Sequence, residues 1–157
     1  MKQEIERKFL VANDSWQSAA GAGTVCAQGY LTSGYSSGAT VRVRLLGEQG
    51  LLTIKGPSQG FSRPEMEYEI PAADAEYMLE NLCGDRLVSK KRYTCEVGGM
   101  IWEIDVFSGS NEGLTVAEIE LESEDQQFEK PEWLGVEVTS DSRYYNAALA
   151  RHPFVRW

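Results

Sequence analysis

Apolar and charged residues alternate along much of this chain. The opening stretch "EIERKFLV" puts Glu4, Glu6 and Lys8 on one parity, with Ile5 and Phe9 on the other. Successive side chains of a β-strand point to opposite faces of its sheet, so this pattern predicts a strand with one ionic face. Further predicted strands are "VCAQGYLT", "TVRVRLLG", "LLTIKG", "EMEYEIP", "LVSKKRYTCEV", "MIWEIDVF" and "TVAEIELES". About eight strands indicate an antiparallel-rich sheet or a closed barrel.

Helical spacing is restricted to a few segments. The clearest is "PAADAEYMLENLCG", whose apolar residues follow one helix face: Ala75, Met78, Leu79 and Leu82. A short helix is predicted over "WQSAAG" with Asp14 or Ser15 as its cap, and a C-terminal one over "SDSRYYNAALARH" with Ser140 or Asp141 as its cap. The stretches "LTSGYSSGAT" and "IKGPSQGFSRPE" are predicted as loops, and Gly98-Gly99 as a hairpin turn. The fold class is therefore α+β, mostly β.

The polar parity of these strands is almost purely ionic, and its two signs are segregated. Basic strands carry Arg42 and Arg44, Lys55, and Lys90 and Arg92. Acidic strands carry Glu4 and Glu6, Glu103 and Asp105, and Glu118, Glu120 and Glu122. The strand "RPEMEYEI" adds Arg63, Glu65, Glu67 and Glu69 on one side. Two interpretations follow: an exposed face covered with salt bridges, or a closed sheet whose interior holds both signs.

A closed interior of this kind requires a charged ligand, because burying many unpaired charges in a dry core is prohibitive. Clustered Arg and Lys side chains suit phosphate oxygens. Clustered carboxylates without neighbouring His or Cys suit Mg²⁺ or Mn²⁺. A barrel of about eight strands is wide enough for one small ligand. The pattern therefore favours a complex of a polyphosphate with a divalent metal ion.

Length and charge narrow the remaining classes. A chain of 157 residues suits one domain, residues 1–157. The net charge of −9 argues against a nucleic-acid or anionic-membrane partner but does not exclude a local basic pocket, and the expected partner is the small polyphosphate. The single histidine, His152, argues against a histidine-based zinc site or a Ser-His-Asp triad. Three dispersed cysteines without a C-x-x-C pair, and no apparent signal peptide, predict a cytoplasmic protein.

The ordered motifs resemble the CYTH domain, or triphosphate tunnel metalloenzyme, superfamily. They are "EIERKFLV", "QGYL", "VRVRL", "TIKG", "RPEMEYEIP", "KKRY", "WEIDVF", "AEIELES" and "EVTSDSRYYNAALA". The resemblance covers almost the whole chain and is greatest to short bacterial members, some of which hydrolyse inorganic triphosphate. It implies an eight-stranded antiparallel closed β-barrel, the tunnel, with helices packed outside and a C-terminal helix that closes part of it.

The resemblance also implies roles for individual residues. Those expected to bind triphosphate are Lys8, Arg42, Arg44, Lys55, Arg63, Lys90 and Arg92. Those expected to bind Mg²⁺ or Mn²⁺ are Glu4, Glu6, Glu65, Glu67, Glu118 and Glu120. The family pattern also fits in a second register, in which the functional pair is Glu67 and Glu69. Catalytic candidates are Glu103, Asp105, Lys90 and Tyr30, with Glu103 or Asp105 as the group that orients the attacking water.

Several alternatives stay open at this point. A class IV adenylate cyclase would share the phosphate and metal apparatus and convert ATP into cyclic AMP and pyrophosphate. Another organic triphosphatase, such as a thiamine triphosphatase, would differ only in what the triphosphate carries. A polyphosphate sensor would not need the carboxylates, and a lipocalin-like carrier would need an apolar lumen. Trp102 and Phe107 could pack beneath helices or form the contact of a homodimer.

Overall fold

Nine β-strands form the framework of the computed structural model, which describes residues 1–32 and 38–157. They are β1 (Lys2–Val11), β2 (Thr24–Tyr30), β3 (Thr40–Leu46), β4 (Gln49–Lys55), β5 (Ser62–Ile70), β6 (Leu87–Val97), β7 (Met100–Ser108), β8 (Thr115–Glu120) and β9 (Leu134–Glu137). The first eight coincide with the eight predicted strands. Part of the predicted loop "LTSGYSSGAT" lies outside the described residues.

Antiparallel pairing closes eight of these strands into a barrel. The order is β5-β4-β3-β2-β6-β7-β8-β1, and a further pairing between β5 and β1 completes the ring. The β6–β7 hairpin turns at Gly98 and Gly99, whose φ angles of +58° and +77° suit the turn that a two-residue hairpin needs. The closed eight-stranded barrel expected from the sequence is confirmed.

The short strand β9 was not predicted from the sequence. The first half of β1 pairs with β5, whereas its second half pairs with β9 through Phe9 opposite Glu137 and Val11 opposite Leu134. Gly135 lets the two backbones approach, since a Cβ there would lie 2.8 Å from the carbonyl oxygen of Leu10. Strand β9 therefore covers the edge of β1 that extends beyond its pairing with β5.

The two strand faces bury different chemistry. The outward face is apolar, and Trp102 lies there against Phe9, Phe128 and Trp133 with ring centroids 5.5–5.7 Å away. The inward face buries polar and charged side chains: Lys8, Gln28, Arg42, Arg44, Thr53, Lys90 and Asp105. The apolar core therefore lies outside the barrel wall, and the ionic parity points into the lumen.

Helix α1 (Ala72–Asn81) lies within the segment that the sequence predicts to be helical. It covers the outer face of β3 and β4. Ala75 is fully buried, and Met78 and Leu79 pack on the same cluster as Val43. Leu82 is an exception, because the helix ends at Asn81 and the Leu82 side chain is half exposed.

The other two predicted helices are shorter than the sequence suggests. A 3₁₀ turn spans Asp14–Ser18, and its cap is Asn13 in place of the expected Asp14 or Ser15. The C-terminal helix is divided into a 3₁₀ turn over Ser142–Tyr144, capped by Asp141, and α2 (Asn146–Leu149). Lys8 Nζ donates to the Tyr144 carbonyl at 3.2 Å. A tertiary contact therefore uses a carbonyl that a longer helix would need. Two further 3₁₀ turns span Gly109–Asn111 and Phe154–Arg156.

An apolar cluster lies at one end of the barrel, on the inward-facing side of β6, β7 and β8. Leu149 of α2 packs there with Val88, Phe107, Leu114 and Val116. Phe107 and Trp102 are both buried, so neither supplies an exposed dimer contact. Among the described residues, no helix has the length and apolar character needed to cross a bilayer.

Candidate active site

The barrel lumen holds two adjoining cavities of about 370 Å³ each. Their walls share Glu4, Glu6, Arg42, Lys55 and Asn146. One cavity opens beside the loop after β4 and the C-terminal segment, and its wall includes Tyr30, Phe61 and Tyr145. The other opens at the β6–β7 hairpin, and its wall is richer in acid: Glu65, Glu67, Glu103, Glu118 and Glu120. The site is a tunnel with an aromatic mouth and an acidic mouth.

Arg42 and Arg44 project from β3 into this tunnel. Arg42 Nη2 donates to Thr53 Oγ1 at 3.0 Å and lies 3.5 Å from a carboxylate oxygen of Glu67. Its Nε atom is buried without a hydrogen-bond partner in the described part of the chain. Burial, with the nearby charge of Arg42, lowers the pKa of Arg44. Both guanidinium groups are therefore suited to receive an anion.

Lys90 and Arg92 on β6 share one carboxylate, that of Asp105 on β7. Lys90 Nζ donates to Asp105 Oδ2 at 2.6 Å, while Arg92 donates to both Asp105 oxygens at 2.8 Å. Burial raises the pKa of an isolated carboxyl, but Lys90 and Arg92 outweigh it and lower the pKa of Asp105. Burial and the charges of Arg92 and Arg44 lower the pKa of Lys90 to about 8, although Asp105 opposes that shift.

Glu103 is the inward-facing residue next to Asp105 along β7, but its environment is different. Its side chain is 43% exposed and lies 2.5 Å from Arg92 Nη1, whereas that of Asp105 is 1% exposed. Burial and the charge of Glu118 raise the pKa of Glu103, against the effect of Arg92. Of the two carboxylates, Glu103 is the one with oxygen surface open to the lumen.

Lys8 and Lys55 are each held by carboxylates of nearby strands. Lys8 Nζ is 3.1 Å from Glu118, and Lys55 Nζ is 2.7 Å from Glu4 and 3.3 Å from Glu65. Burial alone would raise the pKa of Glu118, but Lys8, Arg92 and Lys90 together lower it. The resting lumen is thus stabilised by internal ion pairs.

Two pairs of carboxylates face each other on neighbouring strands. Glu6 lies opposite Glu120, and Glu103 lies opposite Glu118, in the strand register. Burial, followed by the charges of Glu118 and Glu4, raises the pKa of Glu6 to about 7. Like charges in facing positions destabilise a sheet unless a cation lies between them. The oxygen-only donor set matches the ligands of Mg²⁺ or Mn²⁺.

These carboxylates do not form a complete metal cage. Within residues 1–32 and 38–157, no group of three or more His, Cys, Asp or Glu side chains is arranged to hold a metal ion. A divalent ion held by one or two of these carboxylates would take its other ligands from water and substrate phosphates.

The tunnel brings most predicted site residues together. Those that line it are Glu4, Glu6, Lys8, Tyr30, Arg42, Arg44, Lys55, Arg63, Glu65, Glu67, Arg92, Glu103, Glu118 and Glu120. Lys90 and Asp105 lie in its wall, behind Arg92 and Asn146. Glu120 is half exposed beside Lys2 at the acidic mouth. Glu69 is exposed and outside both cavities, so the placement favours the register with Glu65 and Glu67.

Three polar residues of the site escaped prediction as site residues. Thr53 bridges Arg42 and Glu67, Asn146 accepts a hydrogen bond from Lys90 at 3.1 Å, and Gln28 contacts Arg44. Thr53 and Gln28 share the inward parity of Lys55 and Tyr30, which was the available signal. No comparable signal identifies Asn146, because its position depends on how the C-terminal segment folds back.

The fold and the site define an antiparallel β-barrel with an ionic lumen suited to a small polyanion. The CYTH domain model matches residues 2–151, and the chain therefore belongs to the CYTH domain family. Membership implies a divalent metal cofactor and a small polyphosphate substrate.

Two named relatives and a solved structure agree with this assignment. The inorganic triphosphatase of Acetivibrio thermocellus is 46% identical over 154 residues, 98% of this chain and 97% of that protein. The inorganic triphosphatase of Nitrosomonas europaea is 41% identical over 150 residues, 94% of this chain and 96% of that protein. A crystal structure of an inorganic triphosphatase matches with a TM-score of 0.68 at 38% identity, covering 96% of this chain and 95% of that one.

Proposed function

We propose that this protein hydrolyses inorganic tripolyphosphate inside the tunnel, in a reaction that requires Mg²⁺ or Mn²⁺. Two relatives of similar length, 46% and 41% identical, carry the name inorganic triphosphatase. The observation that carries the proposal is the buried pair Arg42 and Arg44. One has an unpartnered Nε atom, and the other is held by a neutral amide. A tripolyphosphate supplies negative oxygens for the unpartnered Nε atom of Arg42 and for the uncompensated charge of Arg44.

The basic side chains bind and orient the substrate. Arg42 and Arg44 approach from β3, Lys90 from β6 and Lys8 from β1. Together they neutralise the phosphate oxygens and stabilise the charge that develops on the leaving pyrophosphate. Because these donors are already fixed by strand pairing, little reorganisation accompanies the reaction.

The carboxylates Glu4, Glu6 and Glu118 would hold the metal, with Glu65, Glu67 and Glu120 nearer the acidic mouth. When bound, a divalent ion supplies charge neutralisation at the phosphates and lowers the pKa of a coordinated water. Glu4 is paired with Lys55 at 2.7 Å in the resting state. When metal and substrate bind, the metal ion would replace Lys55 as the partner of Glu4, and a phosphate oxygen would replace Glu4 as the partner of Lys55.

Glu103 is the better candidate for orienting the attacking water. Asp105 has both oxygens occupied by Lys90 and Arg92, and its lowered pKa makes it a poor base. Glu103 has a side chain that is partly exposed to the lumen and a raised pKa, so it is the better proton acceptor of the two. Asp105 then acts as the anchor that aligns Lys90 and Arg92. Tyr30 lies in the cavity wall, where its hydroxyl accepts a hydrogen bond from Gln28, and it would border the bound substrate.

The test is phosphate release from tripolyphosphate over a titration of Mg²⁺ and of Mn²⁺. Lys8→Ala, Arg44→Ala and Glu4→Gln should each lower kcat/KM by about 10² or more, as expected for loss of a transition-state donor or a metal ligand. The matched control is Lys91→Ala, because Lys91 neighbours Lys90 in sequence but is exposed outside the barrel. Full activity in all three folded lumen variants would refute the proposal.

The same panel separates the alternatives. Formation of cyclic AMP from ATP at a higher kcat/KM than phosphate release from tripolyphosphate would make the protein an adenylate cyclase. Preferential hydrolysis of thiamine triphosphate would make it an organic triphosphatase. Binding of tripolyphosphate without any turnover would leave a sensor.

A further inference from the structure

Gln28 is a fully buried amide in the wall of the tunnel. It lies on β2 directly opposite Arg44 in the register with β3. Its Oε1 atom accepts hydrogen bonds from Arg44 Nε at 3.1 Å and from Arg44 Nη2 at 3.0 Å. One edge of the planar guanidinium is thereby fixed, and the rest of the group faces the lumen.

Tyr30 determines which end of the amide faces Arg44. Gln28 Nε2 donates to the Tyr30 hydroxyl at 3.1 Å, so the amide nitrogen points away from the guanidinium. The Cys26 thiol adds a weak contact to Oε1 at 3.7 Å. A reversed amide would place its N–H groups against those of Arg44, and donors do not pair with donors. The amide orientation is therefore specified by its surroundings.

Arg44 differs from the other basic groups of the lumen in the charge of its partner. Lys8, Arg42, Lys55, Arg63, Lys90 and Arg92 each have a carboxylate oxygen within 4.0 Å. In the part of the chain that the structure describes, Arg44 has none, and its side-chain hydrogen bonds go to Gln28. A neutral amide satisfies N–H groups without cancelling a positive charge.

We propose that Gln28 is a positioning residue for the triphosphatase reaction: its neutral amide orients Arg44 while leaving the whole guanidinium charge for the substrate. A glutamate at this position would keep the geometry but add an internal ion pair. The polyanion would then compete with a covalently tethered carboxylate. This inference rests on the proposed function, because it concerns the same bound substrate.

The test compares Gln28→Glu with Gln28→Met, measuring both steady-state kinetics and metal-free binding of tripolyphosphate by calorimetry. Gln28→Glu should weaken tripolyphosphate binding and raise KM by about tenfold or more, since it cancels one charge-assisted contact. Its melting temperature should be unchanged or higher because of the new ion pair. Gln28→Met leaves the charge of Arg44 uncompensated but removes the amide that orients its guanidinium. The factor by which kcat falls should therefore be larger than the factor by which KM rises.

A double-mutant cycle tests whether Gln28 affects tripolyphosphate binding through Arg44. In an Arg44→Ala background, the further change Gln28→Glu should weaken binding by less than threefold. The matched control is Gln17→Glu, which makes the same charge change at an exposed site outside the barrel and should leave binding unchanged.

The inference is overturned if Gln28→Glu binds tripolyphosphate as the unmodified protein does, or if its penalty is equally large without Arg44. A fall in melting temperature shared by both Gln28 variants, with KM unchanged, would show a structural role and also overturn it. If the unmodified protein neither binds nor hydrolyses tripolyphosphate, the proposed function fails as well. Normal binding and hydrolysis with an insensitive Gln28 would refute this inference alone.

Discussion

Individual charges in the lumen are stabilised mainly by one another. The Lys90 side chain is 0% exposed and the Asp105 side chain 1% exposed, at a distance of 2.6 Å. Removal of one partner from such a buried pair leaves an uncompensated charge, which costs about 3–5 kcal/mol. In the proposed mechanism Asp105 therefore serves as an electrostatic anchor, and the more exposed Glu103 orients the attacking water.

The depressed pKa of Lys90 predicts an alkaline limit to activity. Below about pH 8 the ammonium group is charged and adds to the positive charge beside the lumen; above that value it becomes neutral. The value of kcat/KM should therefore fall as the pH rises through about 8, provided that the charged form is required. A bound polyanion favours the charged form, so the corresponding limb of kcat should lie at higher pH.

The measurement is a pH profile of tripolyphosphate hydrolysis for the unmodified protein and for Lys90→Arg. Arginine stays charged, so this variant should lose the alkaline limb even if its absolute rate is lower. Lys91→Arg, outside the barrel, should retain it. An identical limb in all three proteins would show that another group titrates.

At the scale of elements, the C-terminal segment is the part whose conformation depends most on the barrel. Its 3₁₀ turn and α2 end at the lumen, where the Tyr144 carbonyl and the Asn146 side chain accept hydrogen bonds from Lys8 and Lys90. Leu149 anchors the segment in the apolar cluster with Phe107 and Val116. The same lysines thus hold both the segment and the expected substrate.

Leu149→Ala should separate these roles. Truncation of a buried leucine costs about 2–5 kcal/mol, and a domain of this size loses about 2–4 °C of melting temperature per kcal/mol. A looser segment should also raise KM, because Lys8 and Lys90 lose part of their support. Thermal unfolding and steady-state kinetics provide the measurements.

Val155→Ala is the matched control for this prediction. Val155 is exposed near the same end of the chain, so its truncation should change stability by no more than about 0.5 kcal/mol. Equal melting temperatures for the Leu149 and Val155 variants would contradict the assigned packing.

At the scale of the whole molecule, the barrel has its apolar core on the outside of its wall. Trp16, Phe128 and Trp133 pack on the outward face of β1, β7 and β8, while α1 covers β3 and β4. Strand pairing and this outer core hold the barrel closed, so the lumen is free to carry charge. Most of the apolar packing and the charged site therefore lie on opposite faces of the same strands, and the cluster around Leu149 closes one end of the inward face.

Removal of divalent metal should for this reason abolish hydrolysis without unfolding the protein. With EDTA, far-ultraviolet circular dichroism should be unchanged, and the melting temperature should shift by only a few degrees, because strand pairing does not depend on the metal. Tripolyphosphate at about 100 times its Kd should stabilise the metal-free protein by about 2.7 kcal/mol.

Sodium sulfate at matched ionic strength is the control for this effect and should stabilise less, since it presents fewer phosphate-like oxygens to the tunnel. Loss of strand signal on chelation would show instead that the metal is part of the fold.

Much of the architecture could be predicted from the sequence because strand parity is a local property. The ionic face of "TVRVRLLG" or "MIWEIDVF" follows from residue order alone, and the eight strands, α1 and the tunnel were all predicted. The strand β9 was not, because four residues with no ionic alternation carry little local signal. The C-terminal helix was predicted too long, because a lysine of β1 captures one of its carbonyls.

The sequence by itself determined which side chains share a face, since period two is fixed by backbone geometry. Only the tertiary structure decided which of them meet. Barrel closure brings Lys55 to Glu4, buries Asp105 between Lys90 and Arg92, and leaves Arg44 with the amide of Gln28. Partner choice depends on strand order and register, which join residues that are distant along the chain. Parity is the same for every register that places a given face inward, so it could not distinguish them.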